Sequence, residues 1–107
     1  MNVYRLTQRA DDDILAAYLQ GHDLFGELQA DRYHADLHAL FQRLADHPGM
    51  ARLRSEITPA IRAFSFKSHV VIYEDAPDGV VILSIRHGRE DWHDDPVGPR
   101  DRLDEDS

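Results

Sequence analysis

Apolar positions along this chain change period twice. Residues 2–6, Asn-Val-Tyr-Arg-Leu, alternate, with Val3 and Arg5 on one side and Tyr4 and Leu6 on the other. That period of two predicts a short strand. Thr7 follows as a helix N-cap whose hydroxyl can accept from an orphan backbone N–H. Asp11, Asp12 and Asp13 come next, near the positive end of the helix dipole. Ile14, Leu15, Tyr18 and Leu19 then recur as one apolar helical stripe. Gly21 and Gly26 bracket a break, which puts the end of this helix near His22. Leu28, Tyr33, Leu37, Leu40, Phe41 and Leu44 make the apolar face of a second helix. His47-Pro48-Gly49 ends it, because proline cannot continue the hydrogen-bond ladder. A link this short makes the two helices an antiparallel hairpin.

Past a linker from Met50 to Pro59 the period returns to two. Ile61 and Ala63 alternate with Arg62, Phe64 and Phe66, and a turn near Lys67-Ser68 leads into Val70–Tyr73. Asp75-Ala-Pro-Asp-Gly79 carries turn chemistry. Val80–Ile85 reads as a strand buried on both faces, hence central in a sheet. Three strands with short links predict an antiparallel meander. The fold class is therefore α+β: a short N-terminal strand, an antiparallel helix hairpin, then a three-stranded antiparallel meander, with the hairpin packed on one sheet face. Residues 1–92 make one domain. Residues 93–107 hold one valine and one leucine among many acids, and are expected to be a disordered acidic tail.

Charge sharpens this picture. The net charge is −8, but it is polarised. Residues 1–46 carry a net −4, residues 47–89 a net +2, and residues 90–107 a net −6. An acidic total argues against a general nucleic-acid binder, which carries a basic footprint. Cysteine is absent, which excludes disulfides and thiolate metal sites and fits a reducing, cytoplasmic setting. The N-terminus has no apolar core of a signal peptide, and no apolar run approaches the roughly 20 residues that span a membrane.

Few residue clusters suggest chemistry. His34-Ala-Asp-Leu-His38 places two imidazoles one helical turn apart, a spacing that can chelate zinc. The metalloprotease pattern needs glutamate after the first histidine; Ala35 stands there, and no third ligand is near. The pair is read as two exposed histidines on the solvated face of the second helix, with no metal and no cofactor. Ser84, His87 and an aspartate lack a nucleophile elbow or an oxyanion loop, so Ser84 reads as a small strand residue. The remaining group is basic: Arg52 and Arg54 in the linker, Arg62 and Lys67 on the first β-hairpin, Arg86, His87 and Arg89 at the end of the last strand. Arg86-His-Gly-Arg-Glu-Asp-Trp92 also holds the one tryptophan. Arginine and tryptophan are enriched at binding hot spots; equally, Trp92 can cap the core where the strand leaves it.

The ordered set Tyr4-Arg-Leu-Thr7, Phe25-Gly26, Gln29-Ala-Asp-Arg-Tyr33, Phe41-Gln-Arg-Leu44, His47-Pro48, Lys67-Ser-His-Val-Val-Ile-Tyr73 and Val81-Ile-Leu-Ser-Ile-Arg-His-Gly-Arg-Glu-Asp91 resembles the ParE toxins of type II toxin–antitoxin systems, within the RelE/ParE superfamily. The resemblance spans about residues 3–91. It implies the hairpin-on-sheet fold, a ParD-like antitoxin that wraps the toxin in a hetero-oligomer, and DNA gyrase as the target, bound and poisoned without catalysis. The superfamily's other branch cleaves messenger RNA on the ribosome. Arg62 and His87 match its acid–base positions approximately, but the following residue, tyrosine in some of those nucleases, is Gly88 here. An inactive toxin-derived binding module is a third reading. Target contacts are expected from Arg62, Arg86, His87, Arg89 and Trp92. Antitoxin contacts are expected from Leu15, Tyr18, Leu19, Phe25, Val70 and Ile72, unless these side chains form the core.

Overall fold

The computed structural model of the chain describes residues 2–88 and Trp92. Strand β1 (Val3–Leu6) leads into helix α1 (Gln8–Phe25) and helix α2 (Glu27–Asp46). A single 3₁₀ turn, Pro48–Met50, and a two-residue strand β2 (Leu53–Arg54) follow. Strands β3 (Ile61–Phe66), β4 (His69–Ala76) and β5 (Gly79–His87) complete the meander. The sheet order is β1-β5-β4-β3-β2. The α+β class and the hairpin on one face are as the sequence predicts. Two features extend the predicted meander: β1 joins it in parallel beside β5, so the sheet is mixed, and β2 adds a fifth strand from the linker.

Local chemistry explains the helices. Thr7 caps α1, its hydroxyl accepting from the Ala10 amide at 3.0 Å. Gly26 alone separates the helices, with φ at 90°, a left-handed value that favours glycine. Gly21, read from sequence as part of the break, lies inside α1 and faces Ala30 of α2, where a Cβ would stand in ordinary contact at 3.9 Å. Leu37, Leu40, Phe41 and Leu44 make the buried seam of α2. With Ile14 they pack on Val71, Tyr73, Val80, Ile82 and Ile85. On the opposite sheet face Ile61, Val70, Ile72 and Leu83 form a second, smaller cluster beneath Trp92.

The parallel pairing sets a tight constraint. Gly79 lies opposite Val3 in the register, and a Cβ there would sit 1.8 Å from the Val3 carbonyl oxygen. The same strand meets a second problem farther on. β1 pairs with β5 only as far as Ile82, and beyond that point the β5 edge needs other partners. The start of α1 supplies them. The Thr7 amide donates to the Ile82 carbonyl at 3.1 Å, and the Thr7 hydroxyl donates to the Leu83 carbonyl at 2.8 Å. The Asp13 carboxylate accepts from the Ile85 amide at 2.9 Å and pairs with Arg9 at 3.0 Å.

Two outcomes follow from these contacts. Gly79→Ala is expected to lower stability by about 3 kcal/mol or more, measured by chemical denaturation, since both space and φ forbid a side chain. The second concerns pH. Burial raises the Asp13 carboxyl above its ordinary value, against the opposing pull of the Ile85 amide, Arg9 and Arg86. A raised carboxyl contributes stability that is present below its unfolded value and lost as pH rises through the folded one. Asp13→Asn removes that loss, so its deficit relative to the parent is expected to be largest near about pH 4 and to narrow towards neutrality. Urea midpoints measured across this range would show it; a constant deficit contradicts the account.

Candidate functional site

A bulge in β5 decides which side chains reach which face. Ile72 pairs with Ser84 and Tyr73 with Ile82, so Leu83 is the extra residue. Before the bulge Val80 and Ile82 face the helices; after it Ile85 does. Arg86 then lies opposite Val70, on the face away from the helices, while His87 lies opposite His69, on the helix side. The basic run at the end of β5 is therefore divided between two faces.

On the outer face, Trp92 is 6% exposed and covers Ile61, Val70, Ile72 and Leu83. Of its two sequence readings, the core cap is the one the packing fits. Arg54, in the linker strand β2, places its guanidinium 5.1 Å from the Trp92 ring centre. Arg86 is buried on this face, and its charge reaches Asp13. Ser84 is fully buried opposite Ile72, a small strand residue.

Arg62 is engaged elsewhere. It donates to both Asp75 oxygens, at 2.8 and 3.1 Å, and to the Ala51 carbonyl at 2.7 Å. These bonds tie the linker to the sheet beside Tyr73, whose hydroxyl donates to the Pro48 carbonyl at 2.7 Å. The Arg62 row contains Tyr73, and the His87 row contains His69. Four residues of strand separate the two rows, about 13 Å, and β3 and β5 stand about 10 Å apart. Arg62 and His87 do not converge. Among the five expected target-contact residues, Arg89 lies outside the described residues, and of the others only His87 is exposed.

His87 belongs to a different group. At the tip of the helix hairpin, the ends of α1 and β5 diverge around an open cleft of about 420 Å³. Tyr18, Gly21, Leu24, Phe25 and Ala30 line its walls, and Tyr33, Lys67, His69 and His87 its floor. The Tyr33 hydroxyl and His69 Nδ1 are 2.6 Å apart. Burial pushes the Tyr33 phenol up to about 12, so it keeps its proton at physiological pH. The His69 and His87 rings meet edge to face at 5.8 Å. Lys67, at a left-handed φ of 55° in the β3–β4 turn, lays its ammonium 5.3 Å from the Tyr33 ring centre and 3.3 Å from Asp36. Sequence reasoning counted these groups singly. The signal for them was the short turn at Lys67-Ser68, which sets His69 opposite Phe66.

The outward face of α1 is the other unusual surface. Leu15 and Leu19 are 58% and 53% exposed, and Phe25 is 64% exposed. Tyr18 is half-buried and donates to Asp31 at 2.6 Å. The stripe read from sequence thus splits: Ile14 enters the core, and Leu15 and Leu19 point to solvent. Val70 and Ile72 stand apart from this surface, buried on the opposite face of the sheet under Trp92. They are core, not lining of a groove beside the hairpin. His34 and His38 also differ from the solvated pair expected: both are half-buried between α1, α2 and β1. The Tyr4 hydroxyl bonds His38 Nδ1 at 2.9 Å, and burial, with His34 next to it, lowers the His38 value. Among the described residues no group of three or more histidine or acidic side chains could hold a metal ion. No helix of those residues is long and apolar enough to cross a membrane.

Comparison with known proteins gives consistent matches. Residues 4–92 match the family model for the ParE toxin of the type II toxin-antitoxin system parDE. The chain is 33% identical over 73 residues to Toxin ParE1 of Caulobacter vibrioides, covering 68% of this chain and 76% of that protein. Toxin ParE3 of the same organism is 40% identical over 53 residues, covering 50% of this chain and 53% of that protein. The solved structure of the chromosomal ParDE TA system from P. aeruginosa has a chain with the same fold. Its TM-score is 0.69 at 19% identity, over 81% of this chain and 96% of that one.

Trp92 gives a direct check of the outer face, because it is the one tryptophan in the chain. Native emission is expected to be blue-shifted and to move to the red on unfolding. Trp92→Ala is expected to cost about 3 kcal/mol through the uncovered cluster, and Arg54→Ala about 1 kcal/mol or less. Equal costs for the two would place the weight on the cation–π contact instead of the packing.

Proposed function

The chain belongs to the ParE toxin family of type II toxin–antitoxin systems, and from that premise we propose that a ParD-like antitoxin holds it through the outward face of α1. Released in the cytoplasm, the toxin binds and poisons DNA gyrase without catalytic chemistry of its own. The observation that carries the first half is the exposed pair Leu15 and Leu19, one helical turn apart on α1. Large apolar side chains on the solvent face of a helix have no use in the isolated domain, and an amphipathic segment of a partner would bury them.

The second half draws on the sheet. A general base and acid must share a substrate within hydrogen-bond reach. Arg62 and His87 stand rows apart, and the Arg62 guanidinium is committed to Asp75 and Ala51. The net charge of −8 also disfavours a ribosomal RNA site. Target contact in this reading falls to the end of β5, through His87 and Arg89, while Arg86 and Trp92 pack on the outer sheet face and Arg62 ties the linker to the sheet beside Tyr73.

Leu15→Asp with Leu19→Asp is expected to weaken binding of the antitoxin encoded beside this chain by about 100-fold or more. Both positions are exposed, so stability of the isolated toxin should change by about 0.5 kcal/mol at most. Undiminished affinity rejects this face. Purified gyrase exposed to excess toxin is expected to lose supercoiling activity or accumulate trapped cleavage complexes. Normal supercoiling counts against the target. Messenger RNA cut in a translating extract, and spared by His87→Ala, would move the assignment to a ribosome-dependent endoribonuclease. Normal growth on expression without antitoxin would mark an inactive binding module.

A further inference from the structure

We infer that the cleft at the hairpin tip is an anchor socket for an acidic, apolar peptide segment of a protein partner, in which leucine or phenylalanine side chains enter the cleft and an adjacent carboxylate meets Lys67, His69 and His87. That the partner is the antitoxin rests on the function proposed above; the chemistry of the socket does not.

Three observations converge. The cleft, about 420 Å³, has the size of a small-ligand or side-chain pocket, and its rim residues Leu24 and Phe25 are each 64% exposed. Apolar area on that scale at a rim invites an apolar occupant. The floor has the opposite character. It brings an ammonium and two imidazoles together in a chain whose helix hairpin is otherwise acidic. Finally, the floor is held in place before anything binds. The Tyr33 hydroxyl fixes the His69 ring at 2.6 Å, and the left-handed turn sets Lys67 over the Tyr33 ring. A socket ordered in advance loses less entropy on binding.

The charges around the floor select the occupant. Asp36 faces Lys67 from α2 at 3.3 Å, and Asp31, bonded to Tyr18, stands farther along the same helix. A single carboxylate can displace Asp36 from an exposed lysine. A nucleic-acid backbone would bring further phosphates against these aspartates. Histidine charge changes between about pH 5 and 8, and a bound carboxylate favours the protonated ring. Binding should therefore tighten as pH falls from about 8 to about 6.

The test uses the whole isotope-labelled chain and two probes, the N-acetylated peptide amide Glu-Leu-Phe-Asp and its uncharged twin Gln-Leu-Phe-Asn. Near pH 6 the acidic peptide is expected to bind about tenfold tighter than its twin, with NMR shifts centred on Tyr33, His69 and His87. The preference should shrink near pH 8 and vanish in Lys67→Gln/His87→Gln. Leu24→Ser, at an exposed position, should weaken both peptides alike. Equal affinities for the two peptides near pH 6 overturn the inference, as do shifts that map away from the cleft. A 5′-phosphorylated dinucleotide that outcompetes the acidic peptide would assign the socket to nucleic acid, and a dimer that excludes the peptide would assign it to a second copy. Failure of Leu15→Asp/Leu19→Asp to affect antitoxin binding would reject the proposed partner surface while leaving the peptide result standing.

Discussion

A central strand must be hydrogen-bonded along both edges, and β5 is longer than the strand beside it. Most of the architecture follows from how that mismatch is met. β1 covers β5 from Gly79 to Ile82. The first turns of α1 then take over, with Thr7 and Asp13 in the places a longer strand would have filled. Thr7 serves twice, since the hydroxyl that donates to the Leu83 carbonyl also caps the helix. Helix and sheet are thus registered to each other by polar bonds as well as by the seam of α2. The half-buried carboxylate this requires is held against its own desolvation by the Ile85 amide, Arg9 and Arg86.

Much of this was legible in the sequence, and what was not has physical reasons. The hairpin and the meander follow from periodicity, and Thr7 and Gly26 act as cap and break. β2 is two residues long, too short to show a period. The parallel β1–β5 pairing joins the two ends of the domain, and no local pattern encodes it. Gly21 reads as a break because glycine weakens helices, yet α1 runs through it to Phe25. Leu15 and Leu19 share the helical period of Ile14, but the sheet side of α1 is filled by Ala10 and Ile14. The larger side chains are left outside. Periodicity finds a stripe and cannot say whether its edge is core or contact surface.

The candidate site was legible residue by residue and not as a constellation. Arg86, His87 and Trp92 lie within seven residues of sequence and group for that reason. The fold separates them, and joins His87 to His69 and Tyr33 instead. The fold presents three distinct surfaces: an exposed apolar helix face, a cleft lined by Lys67, His69 and His87 at the hairpin tip, and an outer sheet face closed by Trp92.

The bulge at Leu83 acts on parity. A strand has two faces and alternates between them, so one inserted residue exchanges odd for even along everything that follows. Which of Arg86 and His87 reaches which face is set by that single exchange. Specificity at the end of β5 therefore depends on a residue count as much as on residue types. The same residues in unbroken alternation from Ile82, with no bulge, would turn the arginine towards the helices and the histidine away from them without changing the identity of either.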